Sequence, residues 1–192
     1  MTPPSNMRRL ALLVLVAALT TPPLLGADTT VGAHVIVDRL FTISDSAVGP
    51  ELFVRISVSP GLALEASVSY RRYVTNGFGG SYTYTVATDQ LPIFLGFTYL
   101  FSQGKPVRPW LSAGLIVAPE SSNTTYSPSG SSYSFSTVDV GLQVGAGVQA
   151  AVTDHWALDG GVRYTPPMTS SDSRSQGAYS FLRFQAGLAY RF

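Results

Sequence analysis

The chain has 192 residues, a net charge of +1, 45% hydrophobic and 12% charged residues, and no cysteine. Soluble domains carry about 25% charged residues; half that charge with abundant aromatics excludes a disordered chain, and the missing thiol excludes disulfides, zinc–thiolate sites and thiol catalysis. The longest apolar run is the ten residues 10–19, half of the roughly 20 that a membrane-spanning helix needs, and the basic residues are too scattered to form a nucleic-acid-binding patch.

The first 27 residues form three zones. Arg8 and Arg9 are positive, residues 10–19 (LALLVLVAAL) are apolar, and residues 20–27 (TTPPLLGA) carry prolines and end in small residues. That order predicts a secretory signal peptide over 1–27, cleaved near Gly26 or Ala27, and one mature domain over 28–192.

From Val31 the dominant period is two, the signature of strands. Residues 31–41 carry it least clearly, with His34 and Asp38 on the minor face. In 50–58, Leu52, Val54, Ile56 and Val58 alternate with Glu51, Phe53, Arg55 and Ser57. In 62–70 the apolar set ends at Tyr70, and Glu65 lies on the other side. Residues 91–101 and 109–117 fit with weaker contrast. In 138–152 seven valines, leucines and alanines follow Val138 at even positions, opposed by Asp139, glycines and glutamines. In 156–164, Trp156, Leu158, Val162 and Tyr164 oppose Asp159 and Arg163. The last segment sets Leu182, Phe184, Leu188, Tyr190 and Phe192 against Phe181, Arg183, Gln185 and Arg191. These are eight segments, each near the 9–11 residues of a tilted membrane-crossing strand.

The connections alternate in length. Residues 59–61, 102–108 and 153–155 are short and turn-like. Residues 42–49, 75–90, 119–137 and 166–178 are longer and rich in Ser, Thr, Tyr or Gly. In an up-and-down sheet this puts every long loop at one end, as in barrels with short periplasmic turns and long external loops.

A soluble barrel alternates too, but its exterior is polar. Here the continuous Leu, Val, Ile and aromatic face would overfill an eight-stranded lumen. Turned outward it needs lipid rather than charge, and ring closure satisfies every backbone group. Tyr99, Phe101, Trp156, Tyr190 and Phe192 fall on that face beside short turns, and Tyr70 and Tyr164 beside long loops, which predicts aromatic girdles at two interfaces. The predicted fold is all-β: an eight-stranded antiparallel up-and-down transmembrane β-barrel with short periplasmic turns and long extracellular loops.

Several motifs carry a family resemblance: Leu91-Pro92-Ile93 leading into Leu95-Gly96-Phe97-Thr98-Tyr99, Arg108-Pro109-Trp110-Leu111 leading into Ala113-Gly114, and the terminal Leu188-Ala189-Tyr190-Arg191-Phe192. With the signal peptide and the eight segments, the chain resembles the small outer-membrane β-barrel proteins of Gram-negative bacteria, of the OmpA-barrel and OmpX-like kind, over residues 31–192. The resemblance implies export to the bacterial outer membrane, outer-membrane lipid as a partner, and recognition of Leu188, Tyr190 and Phe192 by the barrel-assembly machinery. No peptidoglycan-binding domain is expected after the last strand.

The minor face supplies Glu51, Arg55, Glu65, Arg71, Asp139, Asp159, Arg163, Arg183 and Arg191. Shielded from lipid, such charges must pair. Arg55 is expected to pair with Glu65 across one hairpin, and Asp159 with Arg163 and Arg183 across another. Because an eight-stranded lumen is just filled by side chains, this charge network predicts a plug rather than a gate. No catalytic, cofactor or metal site is expected: His34 lies on the weakest strand, His155 in a short turn, and neither has ligand or triad spacing. The expected role is structural or adhesive, with the nearly uncharged loops and their Tyr82, Tyr84, Tyr126, Tyr133 and Phe135 meeting an extracellular ligand. A narrow channel, a lipid A-modifying barrel enzyme and a soluble lipocalin-like binder are the competing readings.

Overall fold

A computed structural model describes residues 29–41, 46–79, 82–127, 129–170 and 180–192. Residues 1–27, where the sequence predicts a signal peptide, lie outside the described residues, as do 171–179 of the last long connection. The strands are β1 (Thr29–Leu40), β2 (Ser46–Ser59), β3 (Leu62–Ser69), β4 (Arg71–Gly79), β5 (Tyr82–Gln90), β6 (Ile93–Leu100), β7 (Val107–Ser127), β8 (Ser132–Ala151), β9 (Trp156–Thr165), β10 (Thr169–Ser170) and β11 (Phe181–Arg191).

Eight of them close a ring. Antiparallel ladders run β1–β2–β3–β6–β7–β8–β9–β11, and β11 pairs back with β1 from Thr30↔Arg191 to Leu40↔Phe181. The ring strands are the predicted segments, in the predicted order. At the short-turn end the backbone is shaped by single residues. Gly61 and Gly104 take φ of +82° and +77°, a region that admits glycine without a Cβ penalty. Thr153 Oγ1 accepts from the Trp156 N–H at 2.9 Å and so ties the third turn.

The long connections hold more ladder than loop. Beyond Tyr70 and Pro92, β4 and β5 continue as a hairpin, and β5 pairs with the upper half of β7 from Thr83↔Ser127 to Gln90↔Glu120. The β7–β8 ladder likewise runs up to Thr125↔Ser132. The Ser, Thr and Tyr of these segments suit extended backbone. Asn76 and Gly77, which mark a turn in the sequence, sit inside β4. A four-stranded ribbon, β4–β5–β7–β8, therefore stands on the ring at its long-connection end.

The two faces are divided as the alternation predicts. Leu95, Leu115 and Leu142 are opposite one another on three strands and face outward, each more than half exposed. Glu51, Glu65, Arg163 and Arg183 face inward and are fully buried. The weaker contrast of 91–101 and 109–117 has a simple cause: Phe94, Trp110 and Ile116 point inward beside polar neighbours.

Candidate functional site: the lumen and its mouth

Period-two alternation places one residue of each strand pair at each level of the lumen, and eight strands leave room only for side chains. Large side chains fit because glycines lie beside them. The Trp110 indole covers Gly147 and Gly161, where a Cβ on Gly161 would lie 2.5 Å from its Cζ2. Phe94 covers Gly96 and Gly114, with 2.7 and 2.8 Å to the corresponding Cβ positions.

One continuous chain of ion pairs runs through the lumen from Arg163 to Arg71. Arg163 pairs with Glu65. Glu65 Oε2 accepts from Arg55 Nε at 2.8 Å and from the Thr98 hydroxyl at 2.6 Å. Arg55 Nη1 donates to Asp159 at 2.5 Å. His34 then bridges two carboxylates, with Nε2 at 3.1 Å from Asp159 and Nδ1 at 3.0 Å from Glu51. Glu51 accepts from Arg183 Nη1 at 2.5 Å, and Arg183 Nε donates to Asp38 at 2.8 Å. Asp38 also accepts from Arg71 at 2.5 Å; Arg71 Nε donates to Gln90 at 2.6 Å, and Gln90 donates to Glu120.

Signs alternate along this chain. Four guanidinium groups meet Asp38, Glu51, Glu65 and Asp159, and the His34 imidazole lies between two of these carboxylates. Aromatic faces complete the shielding: the Arg55 guanidinium lies 4.6 Å from the Phe53 centroid, Arg163 lies 4.8 Å from Phe94, and Arg71 lies 4.1 Å from Phe181. Cations over ring faces gain most where water is excluded.

Several pairings differ from the expected ones. Arg55 and Glu65 are opposite in register and joined, as the hairpin suggests. Asp159, however, holds Arg55 and His34 rather than Arg163 and Arg183. Those two arginines face each other across the β9–β11 ladder and reach away, to Glu65 and to Asp38 with Glu51. In a lumen this narrow the opposite wall is as near as the next strand, so hairpin proximity does not choose partners. Asp139 is buried but joins no ion pair among the described residues. Arg191 lies outside the lumen, at the exposed turn end, donating to the Asp154 carbonyl at 3.0 Å. His34 and Asp38, both visible on the minor face in the sequence, are members the charge list omitted; their signal was the shared parity with Ile36 and Leu40.

The predicted aromatics lie on the outer surface. At the short-turn end Tyr99 packs on Phe101 at 4.8 Å, and Tyr190 packs on Trp156 and Phe192 at 5.0 Å each. At the other end Tyr164 meets Phe41 at 6.4 Å, and the Tyr70 hydroxyl donates to Asp89 at 2.5 Å. Leu188 is exposed on the same face as Tyr190 and Phe192. His155 stacks on Tyr190 at 5.7 Å, and its Nδ1 lies 3.0 Å from the Arg191 carbonyl.

A family model described as outer membrane protein beta-barrel domain matches residues 10–192. Solved structures of similar fold include a major outer membrane protein of Thermus thermophilus, at 17% identity and a TM-score of 0.62, covering 88% of this chain and 100% of that one. Neisserial surface protein A is similar at 19% identity and 0.53, covering 88% and 98%. Ail, the attachment invasion locus protein of Yersinia pestis, in complex with the heparin analogue sucrose octasulfate, is similar at 15% and 0.52, covering 86% and 97%. No curated protein sequence matches the chain.

Proposed function

The chain belongs to the outer membrane protein beta-barrel domain family and sits in the bacterial outer membrane, and from that premise we propose that it is a non-catalytic scaffold whose filled barrel holds an extracellular ribbon for contact with ligands or host surfaces. The observation that carries this reading is the unbroken ion-pair chain from Arg163 to Asp38 and Arg71. Side chains and paired, desolvated charges fill the space that a water-filled path would need. The ribbon, by contrast, is the part of the fold that serves no closure and is placed where external partners arrive. The binding of a heparin analogue by Ail supports extracellular ligand contact as a use of this architecture.

Two further assignments rest on sequence pattern. Residues 1–27 are the export signal, and Leu188, Tyr190 and Phe192 present the terminal strand to the barrel-assembly machinery.

Purified protein in planar bilayers and in proteoliposomes tests the reading. The expected result is no single-channel conductance, together with adhesion of the proteoliposomes to immobilised extracellular-matrix proteins or glycans, lost when the ribbon is shortened between residues 76 and 85. Steady unitary conductance with no adhesion would establish the channel instead.

A further inference from the structure

The ribbon above the mouth has two unlike sides. Arg71, Gln90, Glu120 and Thr137 stand opposite one another in register and are all buried. From that row outward, every second residue continues the lumen-facing side. That side carries Tyr82 and Tyr84 on β5, Tyr126 on β7, and Tyr133 and Phe135 on β8. The reverse side is mostly Ser, Thr and Asn.

The rings are held in place. Tyr84 stands opposite Gly77 and Tyr82 opposite Gly79. A Cβ on Gly77 would lie 2.7 Å from Tyr84 Cε1, and one on Gly79 would lie 2.6 Å from Tyr82 Cε2. Each ring therefore lies across a glycine that only an absent side chain permits. Tyr126 meets both, at 5.8 and 6.3 Å between centroids, and Tyr133 stacks near Phe135 at 6.3 Å. Tyr82 and Tyr133 are exposed. The charged residues of this side are Arg71 and Glu120, both at its buried base.

We propose that this aromatic side binds an uncharged oligosaccharide; the proposal rests on the surface-contact reading above and names its ligand class. A pyranose presents C–H groups on its faces, which suit the negative face of a tyrosine ring. Its rim of hydroxyls suits tyrosine hydroxyls and Thr124, which donate and accept alike. Rings fixed over glycine lose little freedom on binding. The side carries no exposed formal charge, so it has no attraction for a polyanion. A peptide strand would be drawn elsewhere, to the main-chain edge of β4, which among the described residues pairs only with β5.

The test uses the full protein in lipid nanodiscs on an array of neutral glucose-, galactose- and N-acetylglucosamine-based oligosaccharides, with a sulfated heparin hexasaccharide alongside. The best neutral sugar is then titrated by calorimetry. Tyr84→Ala and Tyr126→Ala are expected to weaken binding by about tenfold. Thr83→Ala and Thr125→Ala, on the reverse side, leave it unchanged, and all four retain the heat-dependent gel shift of a folded barrel. Affinity for the neutral sugar should hold between low and high salt, because no ion pair is screened. Binding of heparin alone, falling with salt, overturns the proposal. So does equal binding by the tyrosine variants. Adhesion of proteoliposomes to matrix protein without binding of any neutral sugar overturns the ligand class while leaving the surface-contact reading standing; loss of both overturns the two together.

Discussion

Gly187 and His34 are opposite in register across the seam where β11 meets β1, and a Cβ on Gly187 would lie 2.7 Å from the His34 Cα. The glycine continues the row that begins at Asp159 and passes through His34 to Glu51. It leaves the space through which the imidazole reaches the Asp159 carboxylate. Gly187→Ala is expected to push the two strands apart and to part His34 from Asp159. Overpacking of this kind costs on the order of 1–3 kcal/mol. Urea unfolding of the purified protein in lipid vesicles measures it. A loss no larger than that of Ala186→Gly, on the lipid-facing side, would show that the seam tolerates a methyl.

Glu65 accepts from both Arg55 and Arg163 and from Thr98. Glu65→Ala leaves Arg163 with no ion-pair partner among the described residues and Arg55 with Asp159 alone. Breaking a buried pair by removing one partner costs about 3–5 kcal/mol, because the surviving charge stays desolvated. The same unfolding measurement should show that loss. Trp110, within 5.6 Å of both guanidiniums, reports the disturbance directly as a change in fluorescence.

Leu115 is flanked by Leu95 and Leu142 on the outer wall. On a water-facing surface, Leu115→Arg would change stability by less than about 0.5 kcal/mol. At the middle of a bilayer the same change costs about 2–4 kcal/mol. Folding equilibria in vesicles should show the larger value, and the cost should shrink for an arginine placed nearer the aromatic ends.

Phe192 is the last residue, and its N–H donates to the Thr29 carbonyl at 3.0 Å, completing the ladder between the first and last strands. Deleting it removes an outward aromatic and the final hydrogen bond of the seam. If Leu188, Tyr190 and Phe192 are read during assembly, the truncated protein accumulates in the periplasm and its outer-membrane level falls. Normal insertion of Phe192→Tyr, with failure of Phe192→Ala, would separate recognition of an aromatic from simple loss of a ladder bond. Cell fractionation and the heat-dependent gel shift measure both.

Most of the fold was legible because a strand has a period of two and each strand here has one side in lipid and one in a packed lumen. Leu182 to Phe192 shows the rule at its plainest, and the low charge of the chain says which side faces out. The long connections were legible as long but not as paired: TYTVATDQ has strand propensity, yet whether it forms a ladder depends on β7 running beside it. The charge network was legible as a set of inward residues, with His34 and Asp38 obscured by the mixed pattern of the first strand.

The sequence by itself determined the strand count of the ring, the parity of its inward residues and the end at which the long connections lie. These follow from local alternation and from turn residues that act within a few positions. The tertiary structure alone decided which charges meet. Arg55 reaches Asp159 from 104 positions away and Arg183 reaches Asp38 from 145, because a ring of eight strands brings opposite walls within the length of one arginine. It also set the tyrosines of three strands on one side of the ribbon, since that depends on register between strands, which no single strand encodes.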